Sequence, residues 1–347
     1  MATRLLTKSD QTQAVLLAIQ TLNNLAKPII LGESFNLEII KNFTRKSSQE
    51  VKVSVESGHP QWRVSIEEKL NGGAWDPFFE FEGERWNTSY DSAVKNNPGR
   101  LALREFGEVA YFKAIGQRIS QPSYSSDIRL KVGVDGTNTA SVISDLKTSQ
   151  EEIFEKIEDD LIKIVPLVKR IRVHRVPKVI KEKRTFAANG NRFVYDEDRQ
   201  VDAQELIFDT ISGDRLPASM VSEGTLLTLA LLTILHTSDA SLFLLDDIEQ
   251  GLHPLAQMKL MQILKDFAEK FDRQIIVTSH SPYVVDALKP EDVWVMATDE
   301  QGISHCRRLS EHPNIANARD VLTTGEIWSA EGEDWVTKPV QAEAVNA

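Results

Sequence analysis

Two adjacent carboxylates follow a short apolar run in the segment LFLLDDIEQGLHP, residues 242–254. Asp246 and Asp247 at one strand end would repel each other, and a nearby cation would remove that cost. Magnesium is such a cation, because proteins hold it through one or two carboxylates together with substrate phosphates. The pair therefore predicts a Mg²⁺ and nucleotide site, with Asp246 serving the metal and Asp247 orienting or deprotonating an attacking water. The alternative is a charged strand end that faces solvent, and Glu249 is either a third carboxylate or a turn residue.

A candidate phosphate-binding segment stands before a long apolar run. In ASMVSEGTLLTLALLTIL, residues 218–235, Ser222 and Gly224 directly precede the predicted helix. Free N–H groups at a helix N-terminus bind anions. Gly224 would let a phosphate approach the backbone, and the Ser222 hydroxyl could donate to it. The alternative is that Ser222 is only an N-cap of a core helix.

A histidine follows a second apolar run in IIVTSHSPYVV, residues 275–285. His280 stands just past the predicted strand, and ligands of open parallel sheets bind outside the carboxyl ends of the strands. His280 could therefore hydrogen-bond a γ-phosphate. The alternative is a structural histidine, which single histidines more often are.

The three motifs need a parallel sheet to bring them together. Beyond residue 219, apolar runs alternate with helical periodicity, which indicates strands with helices on both faces of the sheet. The predicted elements are helix 224–236, strand 242–245, helix 254–271, strand 274–278, helix 282–288 and strand 293–298.

Upstream of these motifs, the patterns are of three kinds. Helical periodicity predicts a helix over 10–26 and another over 149–165, the second with a capping box formed by Ser149 and Glu152. Alternation over 33–86 predicts a half-buried antiparallel sheet, and residues 108–115 predict a further strand.

The ordered set of motifs resembles the heads of ABC-type ATPases, and more narrowly the AAA family ATPases related to RecF, OLD and SMC proteins. VSEGT is similar to the signature motif, LLDDIEQGLHP to Walker B and the D-loop, and TSHSP to the switch-histidine motif. The resemblance is specific over 216–290 and weaker over 101–215, and TGEIWSAEGEDW, 324–335, resembles the end of such chains. It implies an α/β, P-loop NTPase-like ABC ATPase head, with a mostly parallel sheet and flanking helices, an antiparallel β subdomain and a helical lobe.

The resemblance also implies roles for residues, with ATP and Mg²⁺ as cofactors. In an ATP-bound dimer of heads, Ser222 and Gly224 would contact the γ-phosphate of ATP held by the second protomer. Asp246 would serve Mg²⁺, and Asp247 stands where the family often has its catalytic Glu, one methylene longer. The remaining assignments are His280 as γ-phosphate sensor, Gln117 as Q-loop residue, and Gly251, Leu252 and His253 as D-loop.

Four segments follow from these assignments. Residues 1–100 would be an incomplete N-terminal ATPase lobe with the antiparallel subdomain, and 101–215 the Q-loop strand, helical lobe and a basic strand. Residues 216–335 would be the C-terminal ATPase lobe, and 336–347 a tail.

The phosphate-binding loop that such heads need, G-x-x-x-x-G-K-[ST], has no match in this sequence. Lys8 and Ser9 have the right spacing, but Ala2 and Thr7 replace both glycines. We also expect no room for the strand that normally precedes the loop. Either the printed sequence begins too late, or the chain is a degenerate head that binds no ATP of its own and completes the site of a partner ATPase.

Composition and net charge narrow the classes of protein to which the chain could belong. The net charge of −11 argues against a protein that coats DNA with its whole surface. Cys306 is the only cysteine, which fits a reducing cytoplasm, and no apolar run is long enough to predict a membrane span. The resemblance implies a second head, identical or not, and a separate effector such as a nuclease as partners. A nuclease activity of the chain itself has only the Asp pair in its favour.

DNA is a further partner candidate, because one segment is strongly basic. Between residues 168 and 184 the only acid is Glu182, and one face of the predicted strand would carry positive charge that could lie against phosphates. The basic residues are Lys169, Arg170, Arg172, Arg175, Lys178, Lys181, Lys183 and Arg184. The alternative is a solvated strand face.

Overall fold

The structure is a computed structural model that describes residues 4–7, 50–58, 61–69, 76–81, 84–87, 109–188, 191–300, 304–318 and 321–338. The strands are β1 (Arg4–Thr7), β2 (Glu50–Gly58), β3 (Gln61–Lys69), β4 (Asp76–Phe81), β5 (Glu84–Asn87), β6 (Val109–Phe112), β7 (Val168–Ala188), β8 (Asn191–Thr210), β9 (Arg215–Pro217), β10 (Leu242–Leu245), β11 (Gln274–Ser279), β12 (Val293–Thr298) and β13 (Ser304–Arg308). The helices are α1 (Gly116–Ile119), α2 (Thr139–Ser149), α3 (Glu151–Ile164), α4 (Glu223–Thr237), α5 (Pro254–Phe271), α6 (Pro282–Asp286), α7 (Ile315–Ala318) and α8 (Thr324–Glu331).

A six-stranded sheet with the order β13-β12-β1-β11-β10-β6 forms the centre of the fold. All neighbouring pairs are parallel except β12 with β13. The carboxyl ends of β6, β10 and β11 therefore meet at one edge, because Leu245 lies opposite both Phe112 and Val277. This confirms the predicted α/β sheet and places the residues that follow these strands side by side.

The expectation that no strand precedes Lys8 is wrong. Residues Arg4–Thr7 form β1, which lies between β11 and β12, and Thr7 pairs with Ser279. A four-residue apolar-centred stretch is too short for periodicity to separate from a loop, and only its pairing with two neighbours defines it. Lys8 and Ser9 follow β1 in the sequence and, like the predicted helix 10–26, lie outside the described residues.

Two further sheets are antiparallel. Strands β2-β3-β4-β5 form a meander, which confirms the antiparallel prediction for the part of 33–86 that the structure describes. Strands β7 and β8 form a long hairpin, and the short β9 pairs with β8 near its end.

Most residues of helix α4 are buried in the hydrophobic core. Its residues are apolar almost all round, and Leu229, Ala230 and Leu232 are wholly buried, as expected for a helix packed on several sides. Helix α3 packs against both α4 and α5. Among the helices that the structure describes, none has the length and apolarity needed to cross a bilayer.

The predicted capping box of Ser149 and Glu152 is wrong. Helix α2 continues to Ser149, whose hydroxyl donates to the Asp145 carbonyl at 2.8 Å, and Gln150 is the residue before α3. A serine inside a helix uses its hydroxyl on the preceding turn and cannot cap the next helix. Gln150 alone therefore separates α2 from α3, whereas the sequence predicted a helix that begins at residue 149.

A buried carboxylate joins α3 to α4. The Asp160 side chain is 2% exposed and accepts from Lys156 at 2.8 Å and Lys163 at 3.0 Å, with His236 Nε2 3.6 Å away. Burial alone would raise the pKa of Asp160, but the hydrogen bonds from His236, Lys156 and Lys163 outweigh it and hold this pKa well below its usual range.

Replacing Asp160 with asparagine should lower the free energy of unfolding at pH 7 by about 3 kcal/mol, because a buried, multiply bonded charge is lost. The folded-state pKa is depressed, so the stabilisation is present above the unfolded pKa of about 4 and fades as pH falls below it. Urea unfolding at pH 7 and at pH 3 checks both points. Exposed Asp159→Asn is the matched control, and an equal loss at both pH values would contradict the charge argument.

Candidate functional site

The edge of the main sheet carries the predicted carboxylates. Asp246 directly follows β10, and its N–H donates to the Phe112 carbonyl of β6 at 3.0 Å, which extends the ladder by one residue. The register places Thr278 of β11 on the other side. The sheet itself therefore fixes the position of Asp246, whose residue is 6% exposed.

Thr278 connects the two carboxylate residues. Its hydroxyl donates to Asp246 Oδ1 at 2.6 Å and accepts from the Asp247 N–H at 3.0 Å. Asp247 has a φ of 54°, a left-handed conformation that non-glycine residues adopt uncommonly and that clusters at functional sites. The threonine thus orients Asp246 and holds the turn on which Asp247 leaves the strand.

The second oxygen of Asp246 has the properties of a cation ligand. Asp246 Oδ2 is buried and is paired with the ammonium of Lys113, whose Nζ lies 2.8 Å away. A buried charge needs a cation or donors, and Mg²⁺ typically takes one or two protein carboxylates and completes its shell with water and phosphates. Among the described residues no group of three His, Cys, Asp or Glu could hold a metal alone. The donor set at Asp246 fits Mg²⁺ shared with a phosphate.

The raised pKa of Tyr111, on β6, indicates a negative electrostatic potential at this edge. Burial, and then the charges of Asp246 and Asp247, raise the pKa of its hydroxyl to about 12. A phenol whose ionisation is opposed by two carboxylates marks a place where added positive charge is favourable.

His280 is held at the same edge by Glu249. The His280 N–H donates to Glu249 Oε1 at 2.8 Å, and Glu249 Oε2 is buried without a hydrogen bond. Glu333, just beyond α8, also lies near His280: burial raises the pKa of its carboxyl, and the His280 charge opposes that rise. The structure thus brings Glu249 into the site as a residue that positions the loop after β11.

Ser222 and Gly224 form a second group at the start of α4. Ser222 is the N-cap, since its hydroxyl accepts from the Thr225 N–H at 3.3 Å. A Cβ on Gly224 would stand 2.2 Å from the Gly251 carbonyl oxygen, so only glycine fits this approach. The loop 246–253 therefore links the carboxylate edge to the start of α4.

Gln117 is not part of either hydrogen-bonded group. It is exposed on α1, where its carbonyl accepts from Ser120 Oγ at 3.0 Å. Its neighbour Gly116 is packed against α4, because a Cβ there would lie 2.6 Å from Glu223 Cγ. The Q-loop role of Gln117 stays a prediction.

The basic strand faces acids across the hairpin. Lys181 lies opposite Asp198 and Lys183 opposite Asp196 in the register of β7 with β8. Ion pairs also join Arg172 to Asp209 at 2.6 Å, Arg184 to Glu197 at 2.9 Å and Arg199 to Glu182 at 2.9 Å. Much of the positive charge that suggested DNA contact is therefore balanced within the hairpin, which favours the solvated-face interpretation.

Comparison with known proteins finds one matching family model, one similar curated protein and similar solved structures. Residues 119–286 match the family described as "AAA domain, putative AbiEii toxin, Type IV TA system". The Septu protein PtuA of Bacillus thuringiensis is 31% identical over 105 residues, which are 30% of this chain. The aligned part spans only 25% of the length of that relative.

Solved structures of SMC heads are similar over most of the chain. The SMC head domain from Thermotoga maritima is 12% identical with a TM-score of 0.42, covering 88% of this chain and 89% of that one. The head domain with an extended coiled coil, bound to the C-terminal domain of ScpA and derived from Pyrococcus furiosus, is 10% identical with a TM-score of 0.46, covering 91% and 92%. The family match covers both motif groups, and the parallel sheet brings them to one edge, which supports an AAA-type ATPase head of the ABC class.

Proposed function

We propose that the chain is an ATP-binding and ATP-hydrolysing head that dimerises around ATP and Mg²⁺. The observation that carries this proposal is the buried Asp246 carboxylate at the carboxyl edge of a parallel sheet, whose Oδ2 already pairs with a cation, the half-exposed Lys113 ammonium at 2.8 Å. Ligands of open α/β sheets bind at this edge. A magnesium ion bound there would neutralise phosphate charge and polarise the bond to be broken.

Each residue of the site would then have its own role in ATP hydrolysis. Asp246 would bind the metal, with Thr278 holding it in one rotamer through the 2.6 Å hydrogen bond. Asp247, on its left-handed turn, would orient the attacking water and accept its proton. His280 would donate to a γ-phosphate oxygen, and its loop is held by Glu249. Asp247 is shorter than the glutamate usual in such heads, which predicts slow turnover.

Ser222 and Gly224 would serve the nucleotide of the opposing head. Their helix start is packed on the loop 246–253 of the same chain, with no room for a Cβ on Gly224. A dimer that places this start against a second sheet edge would align helix N–H groups with the γ-phosphate. ATP would then be shared between the heads, and hydrolysis would release them.

Ser222→Arg should abolish nucleotide-dependent dimerisation while the monomer still binds nucleotide. The arginine would fill the space that the second head's phosphate needs, whereas the proposed cis site at Asp246 is untouched. Sedimentation velocity with a non-hydrolysed ATP analogue and Mg²⁺ measures the dimer, and fluorescence of a labelled analogue measures binding.

Ser222→Ala is the matched control, because it loses the same N-cap but adds no bulk. Its cost should be about 1 kcal/mol of stability, and the dimer should be weakened but still form, because only the hydroxyl donor to the phosphate is lost. A normal dimer of Ser222→Arg would contradict the trans role. A wild-type protein that stays monomeric with ATP analogue and Mg²⁺ would overturn the proposed function as a whole.

A regulatory head is the second candidate, because the sequence has no G-x-x-x-x-G-K-[ST] match. Such a head would bind no ATP of its own and would offer Ser222 and Gly224 to a partner ATPase. Titration of the isolated protein with ATP separates the candidates: binding that depends on Asp246 supports the first, and absence of binding supports the second.

The biological setting is proposed from family resemblance alone: DNA maintenance or defence against foreign DNA, with a separate effector such as a nuclease. The likeness to a Septu protein covers only a quarter of that relative and supports no specific partner. DNA itself is the weaker partner candidate, since β8 supplies carboxylates opposite the basic strand.

A further inference from the structure

Lys113 is the residue at this edge to which neither sequence motif nor family match gives a role. It directly follows β6, and its N–H donates to the Val134 carbonyl at 3.0 Å, which fixes its backbone beside the main sheet. Its ammonium reaches across the strand end to Asp246 Oδ2 at 2.8 Å. The lysine therefore contacts the one oxygen of Asp246 that Thr278 does not use.

The two partners differ sharply in exposure. The Asp246 side chain is 0% exposed, whereas the Lys113 side chain is 45% exposed. A fully buried carboxylate without a cation carries a large desolvation cost. The lysine removes that cost, but its own flexible, half-exposed stem can swing into solvent without losing a buried environment.

We propose that Lys113 is a built-in, displaceable counter-ion of Asp246, which a divalent cation must replace at Oδ2 in order to bind. Lysine and metal then compete for the same oxygen, so the carboxylate stays neutralised in both states. Lys113 would keep the strand end folded when no metal is bound. Because a metal must first displace it, Lys113 would also weaken the apparent metal affinity. This inference rests on the proposed metal site at Asp246 but not on ATP binding or hydrolysis.

The surrounding charge favours such an exchange. Asp247 is adjacent in sequence, and after burial, which is the largest cause, the charges of both carboxylates contribute to raising the pKa of Tyr111 to about 12. Once the ammonium leaves, a divalent cation would face two negative groups, whereas the lysine neutralises only one. The same potential should make the site bind a metal more tightly when the lysine is removed altogether.

The test is Mn²⁺ binding to the nucleotide-free protein, measured as loss of the free-ion signal in electron paramagnetic resonance. Lys113→Gln should bind Mn²⁺ about 10-fold or more tightly than wild type, because no ammonium competes at short range. Lys113→Arg should resemble wild type. Lys131→Gln, which removes the same charge from an exposed position, should also resemble wild type, and Asp246→Asn should abolish the site.

Each alternative result has a separate meaning. Equal Mn²⁺ affinity of wild type and Lys113→Gln, with loss in Asp246→Asn, overturns the counter-ion role and leaves the metal site standing. Absence of Mn²⁺ binding in every variant overturns the metal site of the proposed function, and this inference with it.

If Lys113→Gln folds poorly, the free energy of unfolding measured without metal provides a second test of the proposal. The single variant should be less stable than wild type, and Lys113→Gln combined with Asp246→Asn should recover most of the loss, because no uncompensated charge remains. Additive losses in the double variant would contradict the pairing.

Discussion

Asp246→Asn should lower ATP turnover by about 100-fold or more while the fold is retained. Asparagine keeps the size of the side chain and the acceptor for Thr278, but it removes the charge that would bind the metal. Metal and electrostatic contributions of this kind to phosphoryl transfer are typically worth factors of about 10²–10³. Steady-state phosphate release at saturating ATP and Mg²⁺ is the measurement, with ATP binding followed separately.

The matched control is Asp266→Asn, which removes one charge from an exposed position on α5 where Gln262 is its hydrogen-bond partner. Its turnover should equal that of wild type. Undiminished turnover of Asp246→Asn would refute the metal assignment. A wild type without turnover, but with Mg²⁺-dependent ATP binding lost in Asp246→Asn, would place the chain among non-hydrolysing heads.

The half of the fold that carries the site could be predicted because its strands are buried on both faces. Runs such as residues 242–245 and 293–298 are continuous and apolar, and their predicted bounds agree with β10 and β12. The helix predicted over 224–236 agrees with α4, because an apolar run of this length is too long for a strand. Asp246 and His280 could therefore be assigned to one edge from sequence alone.

The partners of those residues could not be predicted, because they depend on register between strands distant in sequence. Thr278 was visible only as part of a strand end, and Lys113 lay in a weakly matching segment; pairing of β10 with β6 and β11 brings both to Asp246. Strand β1 was missed for the same reason, since its four residues are defined by neighbours and not by a pattern. The Ser149 capping box failed because Ser149 is the last residue of the preceding helix α2 and its hydroxyl donates to the Asp145 carbonyl.

Thr278→Val should weaken Mn²⁺ or Mg²⁺ binding by about 10–100-fold and lower the free energy of unfolding by about 3 kcal/mol. Valine has nearly the same shape, but the donor to Asp246 Oδ1 and the acceptor for the Asp247 N–H both disappear. A buried carboxylate oxygen and an amide would lose their partners at about 1–3 kcal/mol each. Loss of an outer hydrogen bond to a metal ligand typically costs 10–100-fold in affinity.

Thr278→Ser is the control, because it keeps the hydroxyl and removes only a methyl group from a wholly buried position. It should retain metal affinity within about three-fold, although the lost methyl still costs about 1 kcal/mol of stability. Mn²⁺ titration and urea unfolding of both variants separate orientation of Asp246 from packing. If serine and valine weaken the metal site equally, packing of the strand end and not the hydroxyl positions Asp246.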